Sequence, residues 1–234
     1  MDAMHESPNA TELDVSTDAA TDTPPCKPAG RPRADEVEAR LRNLLATAAR
    51  LFLDKGYSGV SLEMIAREAH VAVRTIYVKF GGKTGLLNAI IKGGRARFFS
   101  SMGDMQSDTR ALEQILGDFG LRFLELVSSP AAIELQRMVI AEAKTNPELA
   151  TAFHQAGPAQ TMDMLTRFFA RPEIAVQFRA DVPRPMLPAH LLNCLMGDRM
   201  SRLLFAPEQE PTRAELQQKV AQGLQLFFNG TRLA

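Results

Sequence analysis

Arg74, Thr75, Tyr77 and Lys79 crowd into the end of the run SLEMIAREAHVAVRTIYVKF, which extends from Ser61 to Phe80. The chemistry these side chains can do is recognition. An arginine near a helix start can pair bidentately with guanine O6 and N7. The hydroxyls of Thr75 and Tyr77 and the Lys79 ammonium suit phosphate oxygens, contacts that fix register without reading sequence. Ser61 stands where an N-cap belongs, so its hydroxyl and the free N–H groups behind it can face the same backbone. Lys83, after Gly81 and Gly82, places another positive charge at a helix start. Val73 and Val78 are apolar, and either could meet a thymine methyl.

Two short helices must hold these groups. Leu62, Ile65, Ala66 and Ala69 recur at i, i+3, i+4 and i+7, and Ala72, Ile76 and Phe80 at i, i+4 and i+8 after a break at His70. Helices this short need a third element to cover their stripes. The spacing predicts a helix from Asp35 to about Asp54, with Val37, Leu41, Leu44, Leu45, Ala48, Leu51 and Phe52 on its covering face and Gly56 as its stop. That arrangement is a helix-turn-helix, whose second helix enters the major groove of DNA.

The segment from Asp35 to Ile91, with LFLDKGYSGVSLEMIAREA, TIYVKF and GGKTGLLNAI, resembles the N-terminal domain of the TetR/AcrR family of transcriptional regulators. The run IELQRMVIAEAKTNPELATAFHQAGP, within 131–158, is similar to the regulatory domain of its AcrR-like and AefR-like members. The family pattern has Gly in the turn and Ser at the recognition-helix cap; here His70 and Ala72 stand there. A positive φ at a non-glycine turn residue would carry strain, which His tolerates better than most.

Net charge is zero over 234 residues, but it is unevenly spread. Residues 1–25 carry six acidic groups and no Lys or Arg, while 26–105 hold 14 Lys and Arg against 7 Asp and Glu. The candidate reading segment is therefore basic. Residues 1–29 are rich in Thr, Asp, Ala and Pro, as a disordered tail would be. Lys27, Arg31 and Arg33 form a short basic arm in which Gly30-Arg31-Pro32 resembles part of an AT-hook. It reads either as a minor-groove arm or as a solvated linker.

Beyond residue 83 the spacing stays helical: a connector over 83–102, then five or six segments broken at prolines. The expected fold class is all-α. A tail with a basic arm (1–34) precedes a three-helix DNA-binding domain (35–82), which a connector helix joins to a larger ligand-binding and dimerisation domain (83–234). The segments 187–206 and 212–229 are apolar on more than one side, so they belong in a core or against a partner. The resemblance implies that they form a homodimer interface, with Leu195, Met196, Leu203, Leu216, Val220, Leu224 and Phe227 in it. It also implies a small-molecule pocket in the central bundle, for which Phe119, Phe123, Met138, Met164 and Phe168 are candidates. At their spacing each of these residues reads more readily as plain core than as pocket. Arg122, Glu142 and His154 are candidate polar anchors, and each reads equally well as a surface group.

The resemblance thus implies a ligand-responsive DNA-binding regulator. It would repress by binding a palindromic duplex operator as a dimer, and a small apolar effector would release it. The alternative is a ligand-independent, chromosome-organising DNA-binding protein whose second half only dimerises. Enzyme readings fail on spacing. GGKT at 81–84 lacks the required Gly five places before Gly82, where Tyr77 stands, and GYSG at 56–59 is followed by Val60. His5, His70, His154 and His190 have no metal-ligand spacing, so no metal or cofactor is expected. Two cysteines without a CxxC, no apolar run of membrane length and no secretory leader fit a cytoplasmic protein without a membrane partner.

Overall fold

Four successive helices begin with proline because the missing N–H is an orphan at a helix start and the fixed φ suits the first turn. These are α6 (Pro130–Glu142), α7 (Pro147–Ala156), α8 (Pro158–Phe169) and α9 (Pro172–Ala175). They follow α1 (Ala34–Lys55), α2 (Leu62–Glu68), α3 (Val73–Phe80), α4 (Lys83–Phe99) and α5 (Leu112–Val127). A 3-10 turn at Arg184–Met186, α10 (Leu187–Met196), α11 (Arg199–Phe205) and α12 (Arg213–Thr231) complete the order. The structure, a computed structural model, describes residues 34–100, 104–205 and 210–232. Within these the fold is all-α, apart from one isolated bridge between Phe178 and Arg232. The basic arm with Arg31 and Arg33 lies outside the described residues.

Local signals set the helix ends. Asp35 and Glu36 open α1 and Lys55 closes it, each complementing the helix dipole, and Gly56 turns the chain at φ 73°. Ser61 Oγ accepts from Met64 N at 3.2 Å to cap α2. Thr212 and Glu215 form a reciprocal capping box at α12. The segment expected to run unbroken over 187–206 is two helices. Gly197, at φ 53°, accepts a backbone conformation that would end any helix. The connector stops at Phe99 rather than 102.

Two apolar clusters form the core. One joins α5, α8, α10 and α12 around Phe119, Phe168, Phe169, Phe178 and Phe227; the Phe169 ring lies 5.4 Å from Phe168 and from Phe178, and 5.9 Å from Phe227. The other fills the N-terminal helices with Leu44, Leu51, Phe52, Ile65 and Ile76. It extends through Leu86, Leu87 and Ile91 of α4 into Val139, Leu149 and Ala156 of α6 and α7. The apolar face of α4 therefore belongs to the same core as the candidate reading helices. α4 packs on α1, α3, α5 and α7, so displacing it disturbs every unit around it.

Candidate nucleic-acid interface and the cavity behind it

The turn between α2 and α3 holds His70 at φ 54°, the left-handed conformation that the missing glycine foreshadowed. Val71 N donates to Ala66 O at 2.9 Å and closes the turn. Ala72 supplies extended backbone but no side-chain cap to α3. Ile76 is fully buried beneath α3, and Gly81, at φ 74°, ends the helix with its N–H donating to Tyr77 O.

What α3 shows to solvent is Arg74, Tyr77, Val78 and Lys79; Tyr77 is 55% exposed and Val78 75%. Arg74, Tyr77 and Val78 stand at i, i+3 and i+4 and share one face. Thr75 is half-buried. Val73 packs against the N-terminal core, so of the two valines Val78 is the one free to meet a base. Ser61 is exposed at the start of α2.

Lys83 departs from the expected phosphate-facing position. Its ammonium donates to Tyr57 O at 2.7 Å and Val60 O at 2.9 Å, and sits 4.2 Å from the Tyr57 ring centroid. Burial pushes its pKa down from the ordinary lysine value, against the pull of Glu142. Carbonyls 26 and 23 residues away hold this cation, and local spacing does not foretell them. Tyr57 is itself buried, and its hydroxyl shares a 2.9 Å hydrogen bond with Thr84 Oγ1.

The α1–α2 turn is tied to the helices behind it by Glu142, at the end of α6. One carboxylate oxygen accepts Ser58 N–H at 2.7 Å, and the other accepts the Ser58 hydroxyl and, at 2.7 Å, Asn146 Nδ2. Burial opposes ionisation of Glu142. The hydrogen bonds from Ser58 and Asn146 and the nearby Lys83 charge outweigh it, so the carboxyl titrates below its ordinary value. Glu142 is thus a fastener between units rather than a pocket anchor. Arg122 pairs with Glu125 at 3.1 Å and His154 is exposed, so neither lines the cavity.

A cavity of about 390 Å³ opens behind this junction, within the range that small-molecule sites occupy. Ala49, Phe52 and Leu53 of α1 form one wall, and Leu87, Ile90, Ile91, Gly94, Arg95 and Arg97 of α4 another. Phe123, Leu126, Leu135, Phe153, Met162, Leu192, Met196 and Met200 complete a mostly apolar lining, with Ser129, Gln136 and Thr161 as its neutral polar groups. Of the five expected pocket residues only Phe123 is there. Phe119 and Phe168 are wholly buried in the C-terminal core and Met164 packs against it, while Met138 packs on the N-terminal core.

The expected dimer residues all make contacts within the chain itself. Leu195, Leu216, Val220, Leu224 and Phe227 sit in the chain's own C-terminal core, Leu203 is buried within the chain, and Met196 lines the cavity. Their broad apolar cover is met by α5, α8 and the α10–α12 contact. There Gly223 brings the helices so close that a Cβ would lie 2.6 Å from Cys194 O. The outer face of α12 carries Gln218, Ala221, Gln222, Gln225 and Leu226, and Leu226 is 67% exposed.

Comparison with known proteins agrees with this architecture. The model of the bacterial regulatory proteins of the tetR family matches residues 44–90, and that of the AefR-like transcriptional repressor C-terminal domain matches residues 114–230. Among solved structures, the chain is similar to a TetR-family protein from Mesorhizobium loti (20% identity, 84% of this chain and 98% of that one covered, TM-score 0.68). It is similar to the flavonoid-responsive regulator FrrA (21%, 83% and 98%, 0.66) and to FadR of Bacillus subtilis, solved with stearoyl-CoA (14%, 81% and 98%, 0.62). No curated protein matches it in sequence. With both halves matched in their order along the chain, and the second match alone spanning half of it, the protein belongs to the TetR family of DNA-binding transcriptional regulators.

Proposed function

We propose that the protein is a ligand-responsive repressor that binds an inverted-repeat operator as a homodimer and leaves it when a small, mainly apolar effector fills the cavity. The observation that carries this reading is the composition of the cavity wall. α1 and α4 belong to the core under the reading helix, and both line the space a ligand would occupy. A ligand that favours one arrangement of α4 by about 1–3 kcal/mol changes DNA affinity roughly 5–150-fold by linkage. The relatives point the same way, since FrrA is described as flavonoid-responsive and FadR was solved with an acyl-CoA. A ligand-independent organiser of DNA would leave this cavity without a use.

In this reading Arg74 and Val78 touch bases, while Tyr77, Lys79, Thr75 and Ser61 touch the backbone. Dimerisation uses the outer face of α12, where uncharged residues prevail as they do in interface cores. Two reading helices about 34 Å apart then meet successive major-groove faces. Selection of duplexes from a random pool should enrich an inverted repeat, and chromatographic mass should be twice that of the chain. Retention of random sequence without enrichment, or a monomer at every working concentration, refutes the proposal.

A further inference from the structure

Arg95 stands in the cavity wall with no carboxylate paired to it among the described residues. Among the described residues, the buried side-chain atoms without a hydrogen-bond partner are Asn88 Oδ1, Arg95 Nε and Arg95 Nη2, all on α4. No Asp or Glu among the described residues lines the cavity, and burial depresses the Arg95 pKa. A guanidinium does not give up its proton in a protein, so the charge stays and its partial burial carries a cost. The Phe99 ring, 5.3 Å from Arg95 Cζ, offsets part of that cost. Phe99 in turn stacks on Phe119 at 6.1 Å, and Phe119 on Phe123 at 5.7 Å, an aromatic row that ends in the cavity lining. The row leaves the donor edge of the guanidinium unused. Nε and Nη2 are the two donors that a carboxylate bridges side-on.

We infer that the effector is an apolar carboxylic acid, bound as its anion, with the carboxylate across Arg95 Nε and Nη2 and the apolar body along Phe52, Leu87, Leu135 and Met162. This rests on the cavity being the effector site. A neutral apolar compound would leave Arg95 Nε and Nη2 without a charged acceptor, and an organic cation would be repelled by Arg95 and Arg97. Arg95 directly follows Gly93 and Gly94, the weakest helix-forming pair in α4, so a ligand drawn to it pulls where the connector yields most.

The test is calorimetric titration of the full chain at pH 7.5 with decanoate, decan-1-ol and decyltrimethylammonium, for the wild type and Arg95→Met. Decanoate should bind the wild type roughly tenfold to a hundredfold more tightly than decanol, the range of one charge-assisted bond pair, and the ammonium should not bind. In Arg95→Met the advantage of decanoate should vanish while decanol still binds, and the unliganded variant should melt at a higher temperature than the wild type. Equal affinity of wild type for decanoate and decanol, or an advantage that survives in Arg95→Met, overturns the inference and leaves the effector reading standing. Binding of none of the three also overturns it. The effector reading itself falls if bound decanoate leaves operator affinity unchanged.

Discussion

Replacing Glu142 with Ala removes the acceptor that joins the α1–α2 turn to α6 and α7. Three hydrogen bonds end on this carboxylate, from Ser58 N, the Ser58 hydroxyl and Asn146 Nδ2. Bonds to a charged group contribute about 1.5–3 kcal/mol each in buried settings. The carboxylate is only half-buried, so screening and competing water reduce the sum to about 1–3 kcal/mol. Urea unfolding at pH 7 should show that loss as a lower midpoint with an unchanged slope. The pH dependence gives a sharper check. Glu142 titrates lower when folded than the value of about 4.3 of a free glutamate, so its stabilisation is complete above that value. It is lost as pH falls through the folded pKa, so wild type and Glu142→Ala should converge as pH drops below about 4.3. A cycle with Ser58→Ala, which keeps the backbone N–H bond, isolates the hydroxyl contribution. Equal stability of Glu142→Ala and wild type at pH 7, or a difference that persists unchanged in acid, would refute the fastener.

Arg74→Ala should relax discrimination at one base position at a cost of about 1–3 kcal/mol in operator affinity, with thermal stability unchanged, as read by anisotropy on an operator and its single-base variants. Lys83→Ala should instead lower thermal stability by about 1–2 kcal/mol, because two carbonyls lose a charged donor and the Tyr57 ring its cation; a variant as stable as wild type would return Lys83 to the phosphate role. Gly223→Ala should destabilise by about 1–3 kcal/mol, since a Cβ 2.6 Å from a backbone carbonyl must push α10 and α12 apart. Leu226→Glu should leave the melting temperature of the monomer in place and shift sedimentation from dimer to monomer, and an unchanged dimer would move the interface elsewhere.

The reading head was legible because its signals are short-range. Ser61 as a cap, the i, i+3, i+4 stripe ending on Ala69, and a turn centred on His70 are statements about neighbours in sequence, and the structure places each as the spacing requires. Periodicity says that a face is covered but not by what. It left Leu216, Val220, Leu224 and Phe227 open between a core and a partner, the resemblance pointed to a partner, and within the chain they meet α5, α8 and α10. The cavity was illegible for a related reason. It exists where side chains from α1, α4, α5, α6, α7, α8, α10 and α11 fail to fill a space, and no local pattern encodes that failure. One signal did point there: Arg95 breaks the apolar character of the connector, and a charge on a helix packed on four sides calls for a partner.

The position of that charge bears on how such a protein can hold two states. A ligand shifts an equilibrium only by its differential interaction with the two forms. Filling apolar space near Phe52 and Leu87 does little to separate them if both forms keep those walls, whereas an ion pair made at Arg95 depends on where α4 puts the guanidinium. In the proposed reading, an anion paired with Nε and Nη2 of the half-buried Arg95 favours whichever placement of α4 completes the bidentate geometry. Because Leu86, Leu87 and Ile91 of α4 share a core with α3, and Glu142 fastens α6 to the α1–α2 turn, a displacement of α4 as a whole carries to the helix that holds Arg74. In the proposed reading, binding energy gained at the cavity would become a change in how the two reading heads of a dimer are spaced, with Gly93 and Gly94 as the place where the connector bends at least cost.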